Sequence, residues 1–350
     1  MRRRISYLIT LVIGLAFTIG ASSTALGEEL YKGKTIRFVV GFSPGGGYDT
    51  YTRVVARHIS KYIPGNPTPI VQNMTGAGSL IAAHYIYSRA KPDGLTVGVW
   101  NSALILKQAL GDRSIKFRAD KFRWIGAPSV GLPGCAIMGF TGLRTLKDVL
   151  NSKKPIKMGG TRSGTTNDLP KILNKTLGTN FKVIPGYRGT ATIRIAMQKR
   201  EVDGACWSWE SMRVTARSML DAKGDDKLIP FITHGKSDDP EVKDLPRLTE
   251  VVEGEKNRAI LKAWLPQYNF QRPLSLPPGT PKERLNILRK AFQAALKDPE
   301  LLAEAKKSKL IMTYVSGEKV EKYVDQILAI SPEAKESLQF LVIKKKKKKS

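Results

Sequence analysis

Residues 41–49 read Gly-Phe-Ser-Pro-Gly-Gly-Gly-Tyr-Asp, and two kinds of chemistry fit them. Gly41, Ser43 and Gly45 satisfy the G-x-S-x-G spacing of a serine nucleophile at a strand-to-helix turn. Three consecutive glycines also let a backbone approach a ligand closely, because no Cβ stands in the way. An apolar run, Thr35 to Val40, precedes the turn. After it, from near Asp49, Tyr51, Val54, Val55, Ile59 and Tyr62 recur at helical spacing. A helix placed there aims its unpaired N–H groups and the positive end of its dipole back at the turn, which suits a small anion. Pro44 separates the two readings. A nucleophile elbow uses the N–H of the residue after the serine in its oxyanion hole, and proline has none. His234 is the only histidine late enough to complete the usual order, and the glycine run has neither a G-K-[ST] ending nor G-x-G-x-x-G spacing for a nucleotide. The anion cradle is the preferred reading, with a serine hydrolase using Ser43 as the alternative.

A second turn of the same kind lies at Gly159-Gly160-Thr161-Arg162-Ser163-Gly164-Thr165-Thr166, before a helical pattern carrying Leu169, Ile172 and Leu173. Hydroxyls and free amides at a helix start again suit a carboxylate, and ordinary capping by Thr165 or Thr166 is the competing role. Arg188 could grip a ligand carboxylate through two parallel hydrogen bonds or lie on the surface. Val202 to Cys206 reads as a returning strand that ends at Trp207-Ser208-Trp209-Glu210. There Trp209 offers an aromatic wall for a ligand, or packs structurally. A carboxylate beside an anion site repels, so Asp49 is expected to cap its helix or to accept from a ligand amino group.

The elements that must position these turns alternate. After the first helix, stopped by Pro64-Gly65, come a strand at Pro69 to Val71, a helix from Leu80 to Arg89, the turn Lys91-Pro92-Asp93-Gly94 and a strand from Leu95 to Trp100. Strand–helix alternation predicts α/β architecture, a mainly parallel sheet with covered faces. Here the residues carry a resemblance. The strand followed by Phe-Ser-Pro-Gly-Gly-Gly-Tyr-Asp resembles the opening of the tripartite tricarboxylate transporter receptor family, the Bug-type periplasmic solute-binding proteins. Val71-Gln72-Asn73-Met74-Thr75-Gly76-Ala77-Gly78-Ser79, continuing to Ala90-Lys91-Pro92-Asp93-Gly94, resembles the family's V-E-N-x-x-G-A-G … A-x-P-D-G-Y-T run, with Gln72 for Glu and Leu95 for Tyr. The turn at 159–166 matches the family's second ligand loop, with Arg162 and Ser163 departing from it. Pro185-Gly186-Tyr187-Arg188-Gly189 resembles its Pro-Tyr-Lys-Gly segment, with an added glycine and Arg188 for Lys.

The resemblance implies a two-lobed periplasmic binding protein fold, type II-like, with a ligand cleft between lobes. It implies capture of a di- or tricarboxylate, an acidic amino acid or an aromatic acid for the membrane subunits of a tripartite tricarboxylate-type transporter. The implied ligand-facing set is Phe42, Ser43, Gly45, Gly46, Tyr48, Asp49 and Asn101 from the first lobe. Thr161, Ser163, Gly164, Thr165, Tyr187, Arg188 and Trp209 complete it from the second. No catalytic residue, metal or cofactor is expected, and the receptor is expected to act as a monomer. Lobe I is expected over 28–128 and 227–343, and lobe II over 129–226. Within the first of these, Trp124 to Ala127 is read as a strand that begins the crossing between lobes, and the last third as the return.

Arg2, Arg3 and Arg4 before the apolar run Ile5 to Ala21, with small residues at Ala25-Leu26-Gly27, read as a cleaved signal peptide over 1–27 and so as export to the periplasm. Lys and Arg total 58 against 30 Asp and Glu. The excess is spread along the chain with no aromatic interleaving, which argues against nucleic acid and suits an anionic ligand or acidic surroundings. The run Lys344 to Lys349 within 344–350 reads as a solvated, disordered tail. Cys135 and Cys206 are the only cysteines. Each sits in an apolar run and could be a small buried hydrophobe, or the two could pair in an oxidising compartment. Thr145 with Asp148, and Thr280 with Glu283 after Pro281, have the spacing of capping boxes.

Overall fold

A computed structural model describes residues 30–343, and the expected signal peptide and lysine tail lie outside the described residues. Two sheets organise the chain. The first contains β1 (Thr35–Val40), β2 (Thr68–Asn73), β3 (Thr96–Val99), β4 (Arg123–Ala127), β10 (Leu274–Leu276) and β11 (Val315–Ser316), in the order β2–β1–β3–β10–β4–β11. The second contains β5 (Pro133–Met138), β6 (Ile156–Gly160), β7 (Phe181–Pro185), β8 (Gly204–Ser208) and β9 (Leu228–Thr233), in the order β7–β6–β8–β5–β9. In each sheet the first parallel strand, β1 or β6, lies between its next two parallel partners. The strand from the other end of its lobe, β10 or β5, runs antiparallel beside the third. The two lobes thus repeat one strand order, and each has a switch point at the carboxyl ends of its parallel strands, where open α/β sheets bind ligands.

Burial explains why the apolar runs became strands. Every residue of β5 and of β8 is buried, as expected for strands covered on both faces. Edge strand β2 instead alternates exposed and half-buried residues and accommodates Pro69, a residue that donates no ladder bond. The helix Gly47–Ile59 buries Tyr51, Val54, Val55 and Ile59, the face its spacing predicts. Tyr62 falls beyond its end and is exposed. His58, on the same helix, hydrogen-bonds Glu304 through Nε2 at 2.8 Å rather than joining the core. Cys135 and Cys206 face each other across the antiparallel β5–β8 pair and are disulfide-bonded, so the pairing, and not two free buried thiols, is what the fold contains.

Three details depart from the sequence expectations. β9 hydrogen-bonds to β5, so residues 228–233 belong to the second sheet and the return to the first lobe comes after residue 233, not at 227. The helices Glu255–Trp264 and Pro332–Val342 pack on each other and on helix Thr165–Leu177, so part of the last third covers the second lobe while Lys282–Ala295 covers the first. Apolar faces on both lobes need covering, and the C-terminal helices divide that task. Finally, the capping box forms at Thr145 and Asp148 but not at Thr280. There Pro281 takes the N-cap position, and the Thr280 hydroxyl donates to the Pro277 carbonyl at 2.8 Å.

Candidate ligand-binding site

The lobes meet at the carboxyl ends of β1, β3, β6 and β8. The chain crosses between them at 128–132 and again near 270, and the two crossings are paired by a bridge between Ser129 and Gln271. Between the lobes lies a cavity of ≈ 60 Å³, room for roughly four to six water molecules at ~10–15 Å³ each. The first lobe lines it with Phe42, Gly46, Gly47, Tyr48 and Asn101. The second contributes Thr161, Ser163, Thr165, Thr166, Thr190, Trp207, Ser208 and Ser211, and the second crossing adds Gln271 and Arg272. Helices begin at Gly47, Thr165 and Thr190, each at the cavity wall, so three positive dipole ends converge on it. Hydroxyls, amides and a guanidinium face the space, and the lining contains no carboxylate.

Two polar atoms at this wall, Trp207 Nε1 and Arg272 Nε, have no protein partner. Burial pushes the Tyr48 phenol up to about 12, with the nearby Arg272 opposing it, so the hydroxyl keeps its proton at neutral pH. Asn101 Oδ1 accepts from the Ala103 amide at 3.0 Å, which fixes the side-chain amide at the end of β3. Thr161 Oγ1 donates to the Ser163 carbonyl at 2.6 Å, and the Thr161 amide donates to Thr166 Oγ1 at 3.0 Å. Thr166 therefore braces its own loop instead of capping the helix, and Gly164 occupies the N-cap.

Glycines set how closely the lobes approach. A Cβ on Gly164 would stand 2.1 Å from Asn101 Nδ2, and one on Gly78 would stand 2.2 Å from Ser163 Oγ. Both glycines have positive φ, so side chains there would be strained as well as crowded. Direct bonds span the same interface: Ser163 Oγ to the Gly78 carbonyl at 3.0 Å, and Arg194 Nη2 to the Gly45 carbonyl at 3.1 Å.

Residues 51–332 match the model of the tripartite tricarboxylate transporter family receptor. The chain belongs to that family. A UPF0065 protein from the TAR-I ttuE–ttuC′ intergenic region of Agrobacterium vitis is 25% identical over 288 residues, covering 79% of this chain and 76% of that one. Among solved structures, MatC from Rhodopseudomonas palustris with bound malate aligns at TM-score 0.66 and 20% identity, over 87% of this chain and 99% of the other. A second R. palustris protein, solved with adipate, aligns at 0.68 and 16%, over 87% and 97%. The fold of this receptor is thus the two-lobed α/β fold of periplasmic binding proteins.

In this receptor the sequence-derived residues divide. Phe42, Gly46, Tyr48, Asn101, Thr161, Ser163 and Thr165 come together around the cavity. Ser43, Gly45, Asp49, Gly164, Tyr187, Arg188 and Trp209 do not line it. Ser43 Oγ is buried against the backbone of Gly189, where a Cβ would lie 2.6 Å from it. Among the described residues no histidine is hydrogen-bonded to Ser43; His58 is held by Glu304, and His84 Nε2 accepts from the Lys116 amide at 3.0 Å. Gly45 donates to Asp49 Oδ2 at 2.9 Å, while Arg53 and Asn73 donate to the same carboxylate. Burial would raise the Asp49 carboxyl, but those bonds outweigh it and hold its pKa below the ordinary value. Asp49 therefore ties the glycine turn together and has no oxygen left over for a ligand ammonium. Gly164 acts as spacer and as donor to Asp168 Oδ2 at 3.0 Å. Tyr187 packs against the second-lobe core. Arg188 is exposed, and its carbonyl, not its guanidinium, reaches the Ser43 amide at 3.3 Å. Trp209 is buried with Nε1 on Asp239 at 2.8 Å. The strand ends at Ser208, and the turn into helix Trp209–Thr215 leaves Trp207 as the tryptophan at the cavity.

Sequence reasoning did not single out Gly47, Thr166, Thr190, Trp207, Ser208, Ser211, Gln271 or Arg272 for the site. For Gly47 and Trp207 the signal was adjacent, in the third glycine of the turn and the first tryptophan of the pair. Arg272 is one basic residue among 58, with no local motif to mark it.

Proposed function

We propose that this receptor captures a small organic carboxylate in the interlobe cavity, outside the cytoplasm, and presents it to the membrane subunits of a tripartite tricarboxylate-type transporter. One observation carries the reading: the cavity wall offers hydroxyl, amide and guanidinium donors from both lobes, at three helix starts, and no carboxylate. Such a wall favours an anion over a cation, because the three helix starts and the guanidinium all present positive ends to the ligand. The fold neighbours solved with malate and with adipate set the size of acid to test. Among the described residues no helix is long and apolar enough to cross a membrane.

Mechanistically, the lobes swing about the paired crossings at Ser129 and Gln271 and close over the ligand. Closure brings Asn101 against Gly164 and Ser163 against Gly78, so the first-lobe turns dock on the second-lobe loop. The closed shape is the one a membrane partner would recognise. A thermal-shift screen of organic acids tests this. Selective stabilisation by carboxylates, growing with ligand concentration, is expected by mass action. A protein that no acid stabilises, but whose ester hydrolysis is removed by Ser43→Ala, would instead be the hydrolase.

A further inference from the structure

Arg272 is the one cavity residue whose chemistry the loops do not explain. It stands just after the second crossing, 2% exposed, with φ +59°. Its Nη1 donates to Ser129 Oγ at 2.6 Å and its Nη2 to Ser208 Oγ at 3.2 Å. The guanidinium carbon lies 4.1 Å from the centre of the Tyr51 ring and 5.8 Å from that of Tyr48. Among the described residues no carboxylate comes within ion-pair distance of it, and Nε has no partner at all. A guanidinium carries five N–H donors, so most of its capacity is unused. The carboxyl in charge contact with Arg272 is Glu210, and burial raises its pKa and disfavours the ionised form that would balance the guanidinium; an anion arriving from outside supplies that balance.

The surroundings say where that anion sits. A Cβ on Gly47 would lie 3.4 Å from Arg272 Nη2 and 2.1 Å from Ser211 Oγ, so the start of helix Gly47–Ile59, the Ser211 hydroxyl and the guanidinium meet at one corner. Ser208 Oγ closes it from the end of β8. Asn101, Thr161, Ser163 and Thr165 contribute only neutral side chains to the wall, and Phe42, Tyr48 and Trp207 contribute its aromatic part.

We propose that the ligand is a monocarboxylate whose single buried charge docks at the Arg272–Ser208–Ser211 corner, and whose far end is an uncharged hydrogen-bonding group. The proposal rests on the receptor reading and adds a charge count to it: one fixed cation and no anion in the wall match one ligand carboxylate. A second carboxylate would meet neutral side chains and the helix start at Thr165, with no second cation to balance it.

Isothermal titration of the full mature chain with isosteric pairs tests the count. Succinate is compared with succinamate, adipate with adipamate, and terephthalate with terephthalamate. In the pair that fits the cavity the half-amide is expected to bind at least tenfold more tightly than the diacid. Arg272→Gln is expected to weaken the half-amide by roughly 100-fold or more, with Arg272→Lys in between because it keeps charge but not the fork. If Arg272→Gln does not fold, as judged by circular dichroism, Ser211→Ala serves in its place, with an expected loss of about fivefold or more. Diacids that bind as tightly as their half-amides, or a folded variant with wild-type affinity, would overturn the proposal while leaving a carboxylate receptor. Failure of every acid to bind would remove both readings.

Discussion

Gly47→Ala separates the site from the fold. Gly47 opens helix Gly47–Ile59 with a backbone open to any residue, so alanine introduces no φ strain there, and helix propensity favours it by up to about 1 kcal/mol. The obstacle lies on the other lobe. The new methyl would stand 2.1 Å from Ser211 Oγ and 2.7 Å from Ser211 Cβ, against 3.4 Å for ordinary contact. The hydroxyl can rotate away, but the Cβ cannot, so the helices have to part by a good fraction of an ångström. Overpacking of this kind costs ~1–3 kcal/mol, and here it falls on the closed state, at the corner that carries Arg272. Calorimetry should therefore show a loss of about 10- to 100-fold in affinity for the best acid found in the screen. The unliganded melting temperature should fall by no more than a few degrees. Ser211→Gly, which removes the opposing Cβ, should bring the double mutant back to the affinity of Ser211→Gly alone, short of wild type by the lost hydroxyl, whereas Ser211→Ala should give no such recovery. Wild-type affinity in Gly47→Ala, or no rescue by Ser211→Gly, would show that the two helices do not meet around the bound ligand.

Other consequences follow from the same contacts. Asp49 has its pKa held below the ordinary value by Arg53, Gly45 and Asn73 against the opposing effect of burial, so its stabilisation is full above the unfolded carboxylate pKa and lost as pH falls through the folded one. The melting-temperature gap between wild type and Asp49→Asn should be widest near neutral pH and close in acid; a gap that widens in acid would refute this. Reduction of the Cys135–Cys206 disulfide, which closes a segment of 71 residues, should cost about 4 kcal/mol by the loop-entropy estimate. Denaturant melts with and without reductant would read it, and coincident midpoints would count against the bond. Gly164→Ala places a methyl 2.1 Å from Asn101 Nδ2 at a positive-φ position, so it should lower both affinity and stability, the latter by ~1–2 kcal/mol. Unchanged calorimetry would remove that contact from the closed state.

The parts of the site that the sequence made legible are those written as contiguous turns. The glycine turn after β1 and the small-residue turn after β6 announce themselves because each joins an apolar strand to an amphipathic helix. Phe42, Tyr48, Thr161, Ser163 and Thr165 follow from them. What was not legible depends on long-range geometry. Ser208 and Ser211 reach the cavity only because β8 ends where it does, and Arg272 only because the chain crosses back between the lobes near residue 270. Arg188 looked like the anion-binding cation because it lay in a recognisable segment, yet the turn at Gly186 sends it outward and leaves its carbonyl facing the first lobe. Trp209 and Trp207 are two residues apart and would share a strand face, but the helix starting at Trp209 ends that alternation. The lobe boundary slipped for a related reason. Which sheet a strand such as β9 joins is decided by pairing partners far away in sequence, and its apolar composition suits either.

The central claim is that the interlobe cavity binds a small carboxylate through donors from both lobes, with Arg272 at its charged end. Isothermal titration of the mature chain with a panel of mono- and dicarboxylates measures this most directly. The account predicts binding at one site per chain for at least one acid, lost by roughly 100-fold or more in folded Arg272→Gln. A panel in which no acid binds, or one in which the bound acid is indifferent to Arg272, would contradict it.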